Sequence, residues 1–220
     1  MTDPAPQASE LERGRAVLEL VAVMDRLRSP GGCPWDARQT HASLAPYAVE
    51  ESYELAEAIA GGDLDEVVDE LGDVLFQVVF HARVGEEGEQ PFDIDDVARG
   101  IIAKLRRRHP HVFEGLAVTG TAEIEDNWDA IKAAEKPDRR GPLDGIPTGM
   151  PPLERATKVA SRLRRAGMSP APREAPAPED LGERMLDLVL EATAAGLDPA
   201  SELRSALTAL EHRVEADTTP

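Results

Sequence analysis

The sequence predicts an all-α protein, and three observations carry this prediction. Aromatic residues make up only 4% of the 220 residues, whereas Ala, Leu, Glu and Arg, which favour helix over strand, dominate the composition. Apolar residues recur three and four positions apart, as in Leu64, Val68, Leu71 and Leu75. Long runs of alternating apolar and polar residues, which would indicate strands, are absent from the sequence. With 41% apolar residues the chain can bury a core.

The N-terminal half is predicted to form four successive helices. They span Leu11 to Leu27, Ser43 to Ile59, Leu64 to about Val84, and about Ile94 to Arg108. Ser43 and Asp63 are residues of the N-cap type, so we expect them to cap the second and third helices. Gly61-Gly62 ends the second helix and His109-Pro110 ends the fourth, because glycine and proline terminate helices.

Four segments are predicted along the chain. Residues 1–9 read as a disordered tail, 10–135 as a catalytic domain ending in a short helix from Thr121 to Ala134, 136–152 as a Pro- and Gly-rich linker, and 153–216 as a further helical segment. Three helices are expected in that last segment, from Leu153 to Ala166, Leu181 to Ala195, and Pro199 to Val214.

The composition excludes several classes of partner. A formal net charge of −18 makes the chain a poor general binder of nucleic acid or anionic membranes. No apolar run approaches the roughly 20 residues of a membrane-spanning helix, and the N-terminus does not read as a signal peptide. Cys33 is the single cysteine, so no intramolecular disulfide forms, which fits a reducing cytoplasm. The sequence therefore predicts a cytoplasmic protein without a stable nucleic-acid or membrane partner.

Acidic residues cluster on the two helices that the Gly61-Gly62 hinge makes antiparallel neighbours. Glu51 and Glu54 share a face of the second helix, Glu70 and Asp73 share a face of the third, and Glu50 lies beside the first pair. Between Ala42 and His81 there is no Lys or Arg to neutralise them. Four carboxylates in one groove need protons or cations. The other reading is a solvated helix face.

The side-chain types in this acidic cluster favour some metal ions over others. A di-iron site would place a His three residues after a Glu on two helices, but Glu54 and Asp73 occupy those positions. All-oxygen ligation favours Mg²⁺, with Mn²⁺ as a substitute.

Basic and aromatic residues suggest a neighbouring site for an anion. Lys104 and Arg108 lie one turn apart at the end of the fourth helix, and Trp128 and Lys132 repeat that spacing on the next helix. The other reading of the cations is favourable charge at a helix C-terminus. Trp35 or Trp128 could stack on a nucleotide base, or either could be an ordinary core residue. No GxxxxGK[ST] motif is present, so the chain is not a P-loop protein.

Several sequence blocks, taken in order, resemble the MazG family over about residues 11–135. They are Gly31–Asp36, Gln39–His41, Glu50-Glu51-x-x-Glu54, Glu70-Leu71-Gly72-Asp73, Lys104–Phe113, and the later Trp128 and Lys132. The resemblance implies a helical bundle that forms a homodimer and hydrolyses nucleoside triphosphates to monophosphate and pyrophosphate with Mg²⁺.

The resemblance also implies roles for individual residues. Metal ligands would be Glu51, Glu54, Glu70 and Asp73, with Glu50 as a helper. Apart from the resemblance, Glu50 or Glu54 is a candidate for accepting a proton from the attacking water. Substrate-handling positions would be Lys104, Arg108, Trp128 and Lys132, with Trp35 as a further candidate for base stacking.

The C-terminal segment resembles a truncated second copy of the same domain. Pro151–Val159 resembles its entry, and Glu179–Glu183 resembles the ELGD helix with the acids exchanged. No counterpart of the EExxE helix exists, and only the Pro/Ala stretch 169–178 stands in its place. We therefore expect this segment to be catalytically silent.

Two other functions stay open at the level of sequence. One is a non-catalytic nucleotide-sensing or partner-binding helical module, against which the complete set of acids argues. The other is a phosphohydrolase that releases orthophosphate, which nothing but the family resemblance opposes.

Overall fold

A computed structural model describes residues 14–135, 141–168 and 180–218 of the chain. Apart from one 3-10 turn, Asp36–Arg38, the regular elements in these ranges are α-helices. They are α1 (Arg15–Arg28), α2 (His41–Gly61), α3 (Leu64–Gly85), α4 (Ile94–Arg108), α5 (Pro110–Phe113), α6 (Thr121–Ala134), α7 (Pro152–Arg165), α8 (Leu181–Ala194) and α9 (Pro199–Thr218). The prediction of an all-α protein is confirmed.

The helices divide between two compact units. The first unit ends at Ile131 and the second begins at Lys132. The predicted tail, 1–9, and the Pro/Ala stretch, 169–178, lie outside the described residues, as do residues 136–140 of the predicted linker. Within the described ranges every helix is too short or too polar to cross a membrane.

In the first unit α3 is the central helix. It packs lengthwise against α2 and also contacts α1 and α4, while α5 packs on α4. The core is a cluster of Met24, Leu44, Val79 and Phe80, all at most 1% exposed, contributed by α1, α2 and α3. These apolar side chains hold the α2–α3 pair together at the end that lies away from the Gly61-Gly62 hinge.

Capping side chains define where the helices begin. At the start of α2 the Thr40 hydroxyl accepts a hydrogen bond from the Ser43 amide (3.2 Å), and Ser43 Oγ accepts one from the Thr40 amide (2.9 Å). The prediction that Ser43 caps this helix was therefore wrong, because Thr40 is the cap and Ser43 is its partner one turn later. Asp63 caps α3 as predicted, through the Asp65 amide at 2.9 Å.

The loop between α1 and α2 is held by a buried arginine. Arg28 donates hydrogen bonds to the backbone oxygens of Asp36 (2.6 Å) and Gln39 (3.0 Å), and it pairs with Glu87 at 2.6 Å. Gly32 sits so close to the carbonyl oxygens of Arg26 and Leu27 that a Cβ atom there would collide with them. Both contacts fix the loop that carries Trp35 against the ends of α1 and α3.

In the second unit α7, α8 and α9 pack on one another. Ala160 of α7 and Val189 and Thr193 of α8 are buried, and Arg164 donates a hydrogen bond to the Thr193 carbonyl oxygen at 3.1 Å. Asp180 caps α8, because its carboxylate accepts a hydrogen bond from the Glu183 amide at 3.2 Å. One of the two acids of the second ELGD-like sequence is thus used to begin a helix.

Candidate metal centre

Three carboxylates meet in the groove between α2 and α3. One carboxylate oxygen from each of Glu51, Glu70 and Asp73 lies within 4.8 Å of the others. Glu51 and Glu70 are half-buried and Asp73 is exposed. Among the described residues this is the one group of three acidic, His or Cys side chains with the spacing of a metal site.

Glu54 adjoins this group without being one of the three. Its carboxyl group is in hydrogen-bonding contact with that of Glu51, and its charge acts on Glu70 across the groove. Glu50 is exposed, and its charge raises the pKa of Glu51 less than the charges of Asp73 and Glu54 do. The structure therefore brings the four predicted ligands into one groove, with Glu50 at its edge.

The local sequence accounts for this convergence. Gly62 adopts a left-handed conformation (φ 79°) that ends α2, and Asp63 begins α3 at once, so the chain reverses within two residues. On α3 Glu70 and Asp73 are three residues apart and share a face. The antiparallel packing then sets Glu51 against Asp73 and Glu54 against Glu70.

The groove disfavours negative charge on its own carboxylates. Burial raises the pKa of Glu51, and contact with Glu54 and the charge of Asp73 raise it further. Burial likewise raises the pKa of Glu70, followed by the charges of Glu54 and Asp73. Between Ala42 and His81 there is no Lys or Arg, so this stretch of α2 and α3 provides no internal counter-ion.

The side chains of the groove suit a divalent cation in both burial and chemical type. Oε2 of Glu70 is buried and has no hydrogen-bond partner among the described residues, so the site holds a free acceptor turned away from solvent. Every candidate donor is a carboxylate oxygen, which Mg²⁺ and Mn²⁺ prefer over imidazole and thiolate. The residues present fit such an ion.

The predicted substrate residues lie in different surroundings. Lys104 is exposed on α4, while Arg108 is half-buried at the end of that helix. Trp128 is half-buried and its ring lies 5.7 Å from that of His109, which follows Arg108 directly. Lys132 belongs to the second unit.

Trp35 is not a core residue. Its side chain is 46% exposed and meets Tyr47 edge to face, with ring centroids 6.4 Å apart and an interplanar angle of 71°. Tyr47 precedes Glu51 by one helical turn, so Trp35 borders the same stretch of α2 as the carboxylates.

Two polar features of the groove were not anticipated from the sequence. Nδ1 of His41 lies 2.8 Å from Nδ1 of His81, with the ring planes within 4° of parallel, so one nitrogen donates to the other. Gln77 is only 5% exposed, although it is polar. The available signal was the spacing of Asp73, Gln77 and His81, which places a polar residue at every turn of one face of α3.

Part of the chain matches a known protein family. The model of the MazG nucleotide pyrophosphohydrolase domain matches residues 39–113, which include both acidic helices. The uncharacterized 26.1 kDa protein in the blaB 3′ region of Streptomyces cacaoi is 47% identical over 88% of this chain and 78% of its own length. The nucleoside triphosphate pyrophosphohydrolase of Escherichia coli K12 is 45% identical over 67% of this chain and 57% of its own length.

One solved structure is also similar. The crystal structure of a mazG-related protein from Thermotoga maritima aligns with 52% of this chain and 97% of that chain, at 25% identity and a TM-score of 0.45.

Fold and site together define a helical protein with an all-oxygen carboxylate centre. The chain belongs to the MazG family, an enzyme family whose shared domain is described as a nucleotide pyrophosphohydrolase. It spans about half to three fifths of the length of the relatives named nucleoside triphosphate pyrophosphohydrolase.

Proposed function

We propose that this protein hydrolyses nucleoside triphosphates to nucleoside monophosphate and pyrophosphate with Mg²⁺, as a housekeeping activity on the cytoplasmic nucleotide pool. The observation that carries the proposal is the convergence of Glu51, Glu70 and Asp73 in one groove, in a stretch of sequence that has no Lys or Arg between Ala42 and His81. Four relatives named nucleoside triphosphate pyrophosphohydrolase support the reaction class.

The metal ion would be held by Glu51, Glu54, Glu70 and Asp73, with Mn²⁺ able to replace Mg²⁺. When bound, such an ion stabilises charge on phosphate oxygens and lowers the pKa of water. The raised pKa values of Glu51 and Glu70 support this assignment, because a cation relieves the repulsion that raises them.

The remaining residues would act on substrate and water. Water attacks the α-phosphorus, the bond from that phosphorus to the bridging oxygen breaks, and pyrophosphate leaves. Glu50, at the edge of the acidic groove, or Glu54, within it, takes the proton of the water. Lys104 and Arg108 balance the charge of the phosphates. Trp35 offers a half-exposed ring for the base, and Trp128 is a second candidate.

We also propose that the protein is a homodimer. Leu64, Val68 and Leu71 form an apolar stripe on α3 and are 76%, 69% and 50% exposed. Residues at this spacing lie on one face, and a contiguous exposed apolar face indicates a covering partner. Leu71 lies between Glu70 and Asp73, so a second copy seated on the stripe would adjoin the acidic groove.

The second unit is proposed to be a truncated copy without catalytic activity. Its Asp180 caps α8, so that carboxylate serves the helix N-terminus. A divalent ion held by Asp180 and Glu183 would contradict this proposal.

Product analysis tests the function. The purified protein is incubated with Mg²⁺ and each common nucleoside triphosphate in turn, and the products are separated by ion-exchange chromatography. Monophosphate and pyrophosphate are expected, and they should disappear in the Glu54→Ala and Asp73→Ala variants while helicity persists.

Other products would change the assignment. Diphosphate with orthophosphate would keep the metal centre but move the attack to another phosphorus. Binding of triphosphate without any turnover would favour a nucleotide-sensing module.

A further inference from the structure

Gln77 is a buried polar residue that the proposed reaction does not use. Its side chain is 5% exposed, and its Oε1 atom is buried without a hydrogen-bond partner among the described residues. An amide oxygen left in this state destabilises a protein, because it has lost its hydrogen bonds to water and gained none in exchange. Such an atom calls for a ligand or water that the protein itself does not provide.

Two contacts across the α2–α3 groove show which way Gln77 faces. Asp73, four residues before it, interacts with Glu51 of α2, and His81, four residues after it, is hydrogen-bonded to His41 of α2. Residues four apart on a helix share a face, so Gln77 lies in the same groove between these two contacts.

The direction of helical side chains then points Gln77 toward the acids. In an α-helix long side chains lean back over the preceding turn, toward the N-terminus. For Gln77 the preceding turn is the one that carries Asp73, and Glu70 lies one turn further on the same face. The atom of Glu70 that lacks a partner, Oε2, is buried in the same groove.

We propose that Gln77 is a positioning residue for the metal ion, because its Oε1 accepts a hydrogen bond from a water molecule in the hydration shell of the ion. This inference rests on the proposed metal centre. Mg²⁺ and Mn²⁺ keep several waters when carboxylates bind them, and those waters need acceptors when they are buried. Gln77 supplies an uncharged acceptor, which orients water without adding a fifth negative charge to the groove.

The test replaces Gln77 with an apolar side chain of similar length and measures metal binding directly. Free Mn²⁺ is titrated by electron paramagnetic resonance with the wild type, Gln77→Met, Gln77→Glu and the control Gln90→Met, whose residue is exposed in the α3–α4 loop. We expect Gln77→Met to bind Mn²⁺ about 10- to 100-fold more weakly than the wild type. Gln77→Glu, which keeps an acceptor, should bind at least as tightly as the wild type, and Gln90→Met should be unchanged.

Thermal unfolding without metal separates this role from a structural one. Because Oε1 has no protein partner, Gln77→Met should unfold at the same temperature as the metal-free wild type or at a higher one. A clear drop would overturn the inference, since it would reveal a structural hydrogen bond. Equal losses of Mn²⁺ affinity in Gln77→Met and Gln77→Glu would overturn it as well.

The wild type distinguishes this inference from the proposed function. If it binds Mn²⁺ and releases pyrophosphate while Gln77→Met binds Mn²⁺ normally, only the role of Gln77 fails. If it binds Mn²⁺ without releasing pyrophosphate, the reaction fails and the Mn²⁺ titration still decides the role of Gln77. A wild type that binds no Mn²⁺ would overturn both.

Discussion

The Glu70 carboxylate has two opposite effects: it destabilises the metal-free protein, and it is a proposed ligand of the metal ion. Burial and the charges of Glu54 and Asp73 raise the pKa of this carboxyl group in the folded protein. The same group therefore has a lower pKa in the unfolded chain than in the folded one. Between those two pKa values the folded state binds more protons, and its stability without metal falls as pH rises above about 4.5. Above its folded-state pKa the ionised carboxylate therefore destabilises the metal-free fold.

Glu70→Gln should accordingly raise the melting temperature of the metal-free protein and abolish the further increase that Mg²⁺ produces in the wild type. The amide removes repulsion, but it also removes a charged ligand. Differential scanning calorimetry with and without Mg²⁺ measures both effects. Glu89→Gln, an exposed loop substitution, is the control. A Mg²⁺-dependent increase that survives Glu70→Gln would contradict the assignment of Glu70 as a ligand.

His81 predicts a second pH dependence with the opposite sign. Burial and the neighbouring His41 lower the pKa of His81 from 6.5, so the unfolded chain takes up a proton before the folded protein does. The free energy of unfolding should therefore decrease as pH falls below about 6.5, and this loss should be smaller in His81→Gln.

Urea unfolding between roughly pH 5 and pH 8 tests the histidine prediction. Ionisation of Glu51 and Glu70 changes the free energy of unfolding with pH in the opposite sense to His81. The quantity to compare is therefore the difference in the free energy of unfolding between variant and wild type at each pH. His212→Gln, on the exposed face of α9, is the matched control. Identical pH profiles for His81→Gln and the wild type would contradict the prediction.

At the scale of elements, the turn after α1 depends on the small size of Gly32. Gly32→Ala should destabilise the protein by about 1–3 kcal/mol, because the added methyl group meets the carbonyl oxygens of Arg26 and Leu27 and forces the backbone to shift. Gly100→Ala on α4 is the control, since that methyl group would meet nothing within 4 Å. It should stabilise the helix by about 0.5–1 kcal/mol. Equal effects in chemical unfolding would refute the steric argument.

The helices were largely predictable because their signals are local. The end of α4 follows from His109-Pro110, and the start of α3 follows from Gly61-Gly62 and Asp63. The start of α2 was misjudged because Thr40 and Ser43 are both hydroxyl residues of the N-cap type. Their reciprocal hydrogen bonds, and not residue type, decide which of them caps the helix.

The part of the site that could be predicted from the sequence is the set of acids on either side of the Gly61-Gly62 hinge. These acids lie at known spacings from Gly61-Gly62, so helix geometry predicts that those of α2 face those of α3. The contact between His41 and His81 joins residues 40 positions apart, and it depends on how the far ends of α2 and α3 align. Helical periodicity likewise does not predict where Lys104 and Arg108 lie relative to the acids, because it does not determine how α4 packs on α3.

At the scale of the whole molecule, the exposed stripe on α3 predicts the oligomeric state. Leu64→Lys should convert the proposed dimer to a monomer, because it places a charge at the most exposed member of the stripe. Sedimentation equilibrium measures the change. Leu188→Lys, on the 64%-exposed surface of α8, is the matched control and should remain a dimer. A monomeric wild type would remove the basis for the homodimer.

The two tryptophans of the chain sit in unlike environments, which has an optical consequence. Trp35 is half-exposed against Tyr47, and Trp128 is half-buried against His109. Replacing either with phenylalanine would leave a single intrinsic fluorophore. The emission of Trp35 would then report on the loop beside α2, and that of Trp128 on the junction after α4. The protein thus carries two native spectroscopic probes that can be read one at a time, without an attached dye.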